Sequence, residues 1–192
     1  VTDTDEDSDT DTDSDTQVQE YFERTMDVHG AQREYLVFIP TPTAEAMQSC
    51  PVPLLTVVHE ADDTPRNMLE WTGLDQLARD NSFAVVAPAA YDRTWVAFPD
   101  VWPGDDGEGT SRSNDIVFLD VVVEAVSTEF AVDTARAFAA GHGYGAMMLG
   151  YHIQGTGISE VYGEILTTPY SGFGFNAGVD PYGGSGPGGH AD

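Results

Sequence analysis

The chain has no lysine and a single cysteine, and each shortage excludes a class of function. Its 192 residues carry 33 aspartates and glutamates against only 7 basic residues, all of them arginine, and the formal net charge is −26. Such a surface repels phosphate groups, so nucleic acids and anionic lipids are not expected partners. The lone Cys50 rules out an intramolecular disulfide and a cysteine-based zinc cluster, and we expect it to be a small buried residue.

Long apolar runs are also missing, and no segment is long and apolar enough to span a bilayer. The many acidic side chains would repel one another at low ionic strength, whereas concentrated salt screens them. The composition therefore favours a protein of a salt-loving organism, with an ordinary acidic protein as the alternative. The sequence begins with Val1 rather than methionine, which suggests that a leader or a tag was removed and favours an extracellular or cell-surface location.

Residues 1–16 form an acidic segment in which aspartate alternates with threonine and serine, and residues 17–192 form the predicted domain. A solvated tail or linker is one interpretation of the segment, and a glycosylated stalk is another. Calcium or other cations are the expected ligands if it binds any, although the glycine and the closing glutamate of an EF-hand loop are missing. The candidate cation ligands are Asp3, Asp5, Asp7, Asp9, Asp11, Asp13 and Asp15.

The domain alternates apolar runs typical of buried strands with helical patterns. Strands are predicted at 33–40, 53–60, 83–88, 135–140 and 161–168, and helices at 64–81, 113–126 and 144–154. Residues 41–52 are interpreted as a connection, and residues 171–192 as a tail rich in glycine and aromatic residues. Thr64 and Ser113 are the expected helix caps. This order predicts an α/β fold with a mostly parallel sheet and helices on both faces.

The strand at 135–140 runs into Gly141, His142, Gly143, Tyr144 and Gly145, followed by a helix. This is the strand–turn–helix setting of a nucleophile elbow, G-x-S-x-G, in which the outer glycines allow the strand and helix to pack closely. The central position holds Gly143, which has no side chain and therefore no attacking oxygen. The expected role of the neighbouring His142 is packing or hydrogen bonding, because its side chain should point away from the tip.

Other motifs occur in a fixed order along residues 33–153. They are Arg33, Tyr35 and Pro40 in the first strand, His59 after the second, Pro88 after the third, Trp95 and Trp102 in the next loop, NDIVFL at 114–119, VDTAR at 132–136, and Met147 after the elbow. Taken together they resemble the secreted α/β-hydrolases related to polyhydroxybutyrate depolymerases and feruloyl esterases. The resemblance implies a truncated α/β-hydrolase-like fold and an ester-hydrolase ancestry.

The chain departs from that family's pattern at positions that bear on catalysis. Gly143 stands in place of the nucleophilic serine, and Glu60 in place of the glycine that follows His59. The resemblance places an oxyanion hole at the backbone N–H of Tyr144 and at a second N–H in the loop after His59, so an anionic Glu60 beside it would disfavour a developing negative charge. His59, Asp180 and His190 are candidate relics of the catalytic apparatus. The interval between the last two is too short for the family's usual strand and helix.

The segment 161–182 is apolar and aromatic, which is unusual for a tail in so acidic a chain. An exposed sheet edge would add a template for pairing with another chain, so we expect self-association through this segment, with filaments as one form. The principal hypothesis is an inactive hydrolase-like scaffold used for assembly. The alternatives are an active or engineered-inactive carboxylic-ester hydrolase and a binding protein that keeps the pocket for an ester, aromatic or sugar ligand.

Overall fold

The computed structural model of the chain describes residues 20–95, 112–155, 160–161, 164–165 and 168–177. Within these ranges strands alternate with helices. The elements are β1 (Tyr21–Val28), β2 (Ala31–Phe38), α1 (Thr41–Met47), β3 (Val52–Val58), α2 (Pro65–Thr72), α3 (Leu74–Asn81), β4 (Ala84–Pro88), α4 (Arg112–Glu129), β5 (Val132–His142), α5 (Tyr144–Gly155), β6 (Glu160–Val161), β7 (Glu164–Ile165) and β8 (Gly172–Asn176).

Six of the strands form one mixed sheet in the order β1-β2-β4-β3-β5-β8. Strand β2 is antiparallel to both of its neighbours, whereas β4, β3, β5 and β8 are parallel to one another. All the side chains of β4 are buried, as expected for a parallel strand that is covered on both faces. The predicted α/β fold with a mostly parallel sheet is therefore confirmed.

Helices cover both faces of the sheet, and each face has its own apolar core. On one face α2 and α3 pack Met68, Leu69 and Ala78 against the sheet. On the other face α4 and α5 contribute a larger core that contains Phe118, Leu119, Val122, Met148 and Leu149. The two cores fix the sheet between the helix pairs and so hold the carboxyl ends of β3 and β5 in place, where the predicted elbow lies.

The predicted helix at 64–81 is two helices. It begins as expected, because Thr64 Oγ1 accepts a hydrogen bond of 3.2 Å from the N–H of Asn67 and Pro65 occupies the first turn. It is interrupted at Gly73, which adopts a left-handed conformation with φ +69°. Helix α4 begins at Arg112, so the expected cap Ser113 lies inside the helix and was assigned wrongly.

Four further sequence predictions need correction. Residues 41–47 of the predicted connection form α1, and β1 was not predicted at all. The strand predicted at 161–168 is contradicted by the described residues there, because β6 and β7 pair antiparallel with each other and do not join the main sheet. The sixth strand of the main sheet is instead β8, inside the predicted tail. Cys50, expected to be buried, is exposed.

Two of the ordered motifs meet in the core between β2 and α4. Arg33 and Asp115 form an ion pair of 2.7 Å, and each side chain is only 1% exposed. The guanidinium of Arg33 also lies 4.4 Å from the centre of the Phe118 ring and donates a hydrogen bond to the carbonyl of Ala89. The pair therefore joins α4 to β2, the strand that carries Arg33 and Tyr35.

No helix among the described residues has the length and apolar character needed to cross a membrane.

Candidate functional site

The predicted elbow has the expected strand–turn–helix form. Strand β5 ends at His142, α5 begins at Tyr144, and Gly143 alone forms the turn with φ +53°. The N–H of Gly143 donates to the carbonyl of Asn176 on β8 at 3.0 Å, and its carbonyl accepts from the N–H of Met147 at 3.1 Å. The tip is therefore fixed on one side by the sheet and on the other by the first turn of α5.

The two outer glycines are required by close backbone contacts. A Cβ at Gly141 would lie 2.6 Å from the backbone N of Ala146, and a Cβ at Gly145 would overlap the carbonyl oxygen of Val58. Since those neighbours are backbone atoms, they cannot move aside as a side chain can. Glycine at 141 and 145 thus allows α5 to start directly against β3 and β5.

The space above the tip is occupied by Glu60. A Cβ built on Gly143 would overlap the Glu60 carboxylate, and its distance to Oε1 would be 2.9 Å. Oε1 accepts a hydrogen bond of 3.0 Å from the N–H of Tyr144 and another of 2.7 Å from the N–H of Ala61. The sequence led us to expect Glu60 beside the N–H groups of the oxyanion hole. In the structure, its carboxylate is hydrogen-bonded to the N–H groups of Tyr144 and Ala61.

His59 is held in one orientation by its two ring nitrogens. Nδ1 contacts the carbonyl oxygen of Glu60 at 2.6 Å, and Nε2 accepts a hydrogen bond of 3.1 Å from the N–H of Ala90. This pairing requires the neutral form with the proton on Nδ1. Burial of the ring lowers the pKa of His59, which also favours the neutral form. His59 therefore orients the loop after β3 and has no ring nitrogen left for a substrate.

Trp95 reinforces the same loop. Its side chain is buried, its Nε1–H donates a hydrogen bond of 2.9 Å to the carbonyl of His59, and its ring centre lies 5.2 Å from that of His59. These contacts make Trp95 a packing residue of the loop after β3. Trp102 lies outside the described residues.

His142 packs against an exposed aromatic side chain. Its ring meets that of Trp71 edge-on with centres 5.2 Å apart, and the Nε1–H of Trp71 donates to Asp63 at 3.2 Å. This agrees with the packing role expected for His142. Trp71 was not singled out in the sequence, because a tryptophan on a predicted helix gives no sign that it will reach the elbow.

The remaining candidate site residues lie outside the described part of the chain. Asp180, His190 and the acidic segment 1–16, with its seven candidate calcium ligands, lie outside the described residues. Among the residues that are described, no group of three or more His, Cys, Asp or Glu side chains is arranged to hold a metal ion.

A cleft of about 750 Å³ lies between β1, β2 and the segments that follow β3 and β4. Its lining includes His59, Asp63 and Tyr35 but neither Glu60 nor Gly143. The charged groups around it are mixed, namely Arg24, Arg66 and Arg93 together with Glu23, Glu34, Asp63 and Asp92. The cleft is therefore a separate feature from the tip of the elbow.

Strand β8 forms one edge of the sheet, and no other described strand pairs with its outer side. Its five residues, GFGFN, carry no charge. Phe175 on β8 is 53% exposed and Phe138 on the neighbouring β5 is 42% exposed. Tyr170, by contrast, is buried and donates a hydrogen bond to the carbonyl of Leu119, so this member of the segment 161–182 is part of the chain's own core.

Comparison with known proteins identifies the fold. No family model matches the chain, and no curated protein matches it. Similar solved structures include LAE6, an α/β-hydrolase enzyme from the metagenome of Lake Arreo in a serine-to-alanine mutant (TM-score 0.52, 15% identity, covering 72% of this chain and 39% of that one). A ferulic acid esterase is also similar (TM-score 0.51, 20% identity, 70% and 54% covered). So is an S-formylglutathione hydrolase from Agrobacterium tumefaciens (TM-score 0.50, 15% identity, 70% and 52% covered).

The chain thus spans between 39% and 54% of the length of these three structures. At such identities the similarity concerns the fold, which is that of the α/β-hydrolases and is shared with esterases.

Proposed function

We propose that the chain is a catalytically inactive protein of α/β-hydrolase fold that serves as a salt-adapted structural subunit, secreted and assembling with copies of itself. The observation that carries the first half of this proposal is the position of Glu60. Its carboxylate occupies the space above Gly143 and accepts a hydrogen bond from the N–H of Tyr144. In the family that the sequence resembles, the nucleophilic oxygen and the substrate oxyanion belong at this place.

Three observations on the groups that acyl transfer requires support the proposal that the chain is inactive. Gly143 supplies no attacking atom, whose loss in a serine-type site lowers turnover by about a million-fold. The N–H groups of Ala61 and Tyr144, which would stabilise an oxyanion, are already bonded to a carboxylate. His59 is neutral and has both ring nitrogens engaged, so it is not available as the base.

We expect the purified protein not to hydrolyse p-nitrophenyl acetate in concentrated potassium chloride, apart from a slow reaction that does not saturate with substrate. The matched control is Gly143→Ala, which fills the tip and should leave that background unchanged. Saturable hydrolysis that is lost in Gly143→Ala would contradict the proposal and favour an active esterase with an unusual nucleophile. Recovery of hydrolysis in Gly143→Ser alone would favour an esterase whose serine had been removed.

The second half of the proposal, self-assembly, is supported by the composition of β8 and its surroundings. Copies that each carry a formal charge of −26 repel one another over most of their surface. The uncharged edge strand β8, with exposed Phe175 on one face of the sheet and exposed Phe138 of β5 on the other, offers a contact without that repulsion. An unpaired strand edge also has backbone groups free to extend a sheet.

We expect Phe175→Glu to reduce the molar mass measured by light scattering in concentrated salt, because the new charge would be buried in the contact between copies. The matched control is Leu77→Glu, which places the same charge on a side chain of similar exposure, 49%, on α3. A parent protein that is monomeric, or a loss of mass in both variants, would contradict assembly through β8. Calcium followed by a chelator tests in the same experiment whether cations bound by residues 1–16 take part.

A binding role for the cleft is the second candidate. Three of the chain's seven basic residues line it, although they are joined there by four acids. A cleft of this size accepts an aromatic or sugar ligand, and mixed charges would orient its polar groups. A ligand that raises the unfolding temperature of a monomeric protein in proportion to the logarithm of its concentration would favour this candidate over the structural one.

A further inference from the structure

One part of the main sheet has no helix on one of its faces. Ala137 and Ala139 of β5 belong to the core under α4 and α5, so the alternate residues Phe138 and Ala140 point to the opposite face. Among the described residues, the core on that face contains side chains of β2, β4 and β3 but none of β5 or β8. Strands of a parallel sheet are normally covered on both faces, whereas Phe138 is 42% exposed. The β5–β8 part of this face is therefore open in a single copy of the chain.

The open face has a raised part and a flat part. In β8, Gly172 and Gly174 pair with Phe138 and Ala140, so they lie on the same face and add no side chain to it. A Cβ built on Gly172 would lie 3.3 Å from the Phe138 ring, whereas a Cβ on Gly174 would meet only Ala140, at 3.6 Å. The Phe138 ring thus stands beside a flat shelf formed by Ala140 and Gly174. We call these four residues the Phe138 face.

We infer that the Phe138 face packs against the Phe138 face of a second copy, with the ring of each copy on the shelf of the other. The inference rests on the self-association proposed above and names the surface and the geometry of one contact. A two-fold axis between the copies produces this arrangement, because it places Phe138 of the first copy against Gly174 of the second and Phe138 of the second against Gly174 of the first.

The charge of the chain favours a second copy as the occupant of this face. The Phe138 face is uncharged, and the charged residues that precede it on β5, Arg136 and Asp133, form an ion pair of 2.7 Å. Over the rest of the surface the formal charge of −26 repels another copy, so an uncharged face is where two copies can approach. A basic partner, by contrast, would be attracted to the acidic surface and would gain no electrostatic energy at a neutral one.

The residues of the chain that follow β8 offer a poorer cover. Residues 178–192 contain six glycines and two prolines, and their only apolar residues are Val179, Tyr182 and Ala191. Glycine and proline disfavour the helix that usually covers a parallel sheet. Few side chains are then available to bury an exposed phenylalanine, whereas a second copy brings both a ring and a shelf.

The Phe138 face and Phe175 lie on opposite sides of the sheet. Phe175 pairs with Gly141, and Phe173, two residues before Phe175 on the same strand, packs against the core under α4 and α5. A neighbour on the Phe138 face therefore leaves Phe175 uncovered and available to a different neighbour at the β8 edge. Copies with one two-fold contact form closed dimers, whereas copies with two such contacts form open chains.

The test compares the molar masses of Phe138→Glu, Phe175→Glu and their double variant by light scattering in concentrated potassium chloride. The parent protein should be larger than a dimer, each single variant should have twice the mass of one chain, and the double variant should be monomeric. Gly174→Val should act as Phe138→Glu does, because it fills the shelf without adding a charge and its Cβ has room within its own chain. The control Leu77→Glu, at a position 49% exposed on α3, should keep the mass of the parent.

The outcomes separate this inference from self-association through β8. An unchanged mass in Phe138→Glu and Gly174→Val, with a lower mass in Phe175→Glu, would overturn the inference and leave the β8 contact standing. Monomeric Phe138→Glu with unchanged Phe175→Glu would support the Phe138 face and contradict the β8 contact instead. If Phe138→Glu does not fold, the mass of Gly174→Val decides alone.

Other occupants of the face give different results. A lower unfolding temperature of Phe138→Glu and Gly174→Val at the mass of the parent would mean that another part of the same chain covers the face, and it would overturn the inference. A monomeric parent protein would overturn both the inference and the self-association on which it rests.

Discussion

Replacing Gly143 with alanine is expected to destabilise the protein by about 3 kcal/mol or more, and by much less when Glu60 has been replaced as well. The first contribution is backbone strain, because φ is +53° and a left-handed conformation costs an L-residue about 1–2 kcal/mol. The second is displacement of the Glu60 carboxylate, whose hydrogen bonds contribute about 1.5–3 kcal/mol. Urea unfolding in concentrated salt measures the free energy of each variant.

The chain provides a matched control that isolates the strain. Gly73 also has a positive φ, +69°, but a Cβ there would have no neighbour within 4 Å. Gly73→Ala should therefore cost only about 1–2 kcal/mol. In a double-mutant cycle, the free energy of unfolding lost through Gly143→Ala should fall to a similar value when that substitution is introduced into the Glu60→Ala variant. A Gly143→Ala variant no less stable than Gly73→Ala, or one whose cost is the same with and without Glu60, would show that the two residues do not compete for space.

The outcome bears on how the elbow is interpreted. In the family that the sequence resembles, position 143 carries a hydroxyl and position 60 is glycine, so this chain has the small residue and the large one in opposite places. In the structure, a side chain at position 143 and the Glu60 carboxylate would occupy the same space. This complementarity supports the proposal that Gly143 and Glu60 belong together as a pair, and it implies that a serine at 143 without removal of the Glu60 side chain would not rebuild a catalytic centre.

The elements that the sequence predicted correctly are those whose pattern is set by burial. Strands β3 and β4 lie between two layers of helices, and their continuous apolar runs reflect that position. The start of α2 was also predicted, because Thr64 and Pro65 act locally as a cap and as a first-turn residue. Such signals require no knowledge of what packs against the segment.

The elements that were missed depend on distant partners. Strand β1 alternates half-buried with exposed residues, has charged side chains in both sets, and is ordered by its pairing with β2. Strand β8 consists of glycine, phenylalanine and asparagine, a composition typical of a loop, and it is a strand because β5 offers it a parallel edge. Helix α1 lies in residues 41–52, whose prolines and threonines suggested a connection, and its Thr43 hydroxyl donates a hydrogen bond to the carbonyl of Phe83 just before β4.

The same distinction applies to the candidate site. The turn at 141–145 could be predicted because its three glycines lie within five consecutive residues, and the charge of Glu60 suggested that an anion would be disfavoured nearby. That this carboxylate lies on the donors themselves could not be predicted, since the contact joins residues 84 positions apart. It depends on the packing of α5 against β3, which the overlap of a Cβ at Gly145 with Val58 shows to be close.

A second large effect is expected at the buried ion pair. Asp115→Ala should destabilise the protein by about 3–5 kcal/mol, because it leaves the Arg33 guanidinium in the core without its counter-charge. Arg33 also contacts the carbonyl of Ala89 and the ring of Phe118, neither of which carries the negative charge of the lost carboxylate. Urea unfolding of the variant and the parent in the same salt gives the difference.

The control for this variant is Glu129→Ala, which breaks the ion pair of Glu129 with Arg24 near the surface, where the two side chains are 42% and 33% exposed. Such pairs contribute about 0–1 kcal/mol, and concentrated salt reduces that further, whereas the buried pair is little screened. The cost of Asp115→Ala should therefore persist as salt is raised, while that of Glu129→Ala should vanish.

The double variant Arg33→Met with Asp115→Leu should recover much of the lost stability, because no charge is then left buried. If the double variant recovers no stability, the packing between β2 and α4 requires the Arg33 and Asp115 side chains themselves. If Asp115→Ala costs no more stability than Glu129→Ala, the core between β2 and α4 admits enough water to solvate Arg33.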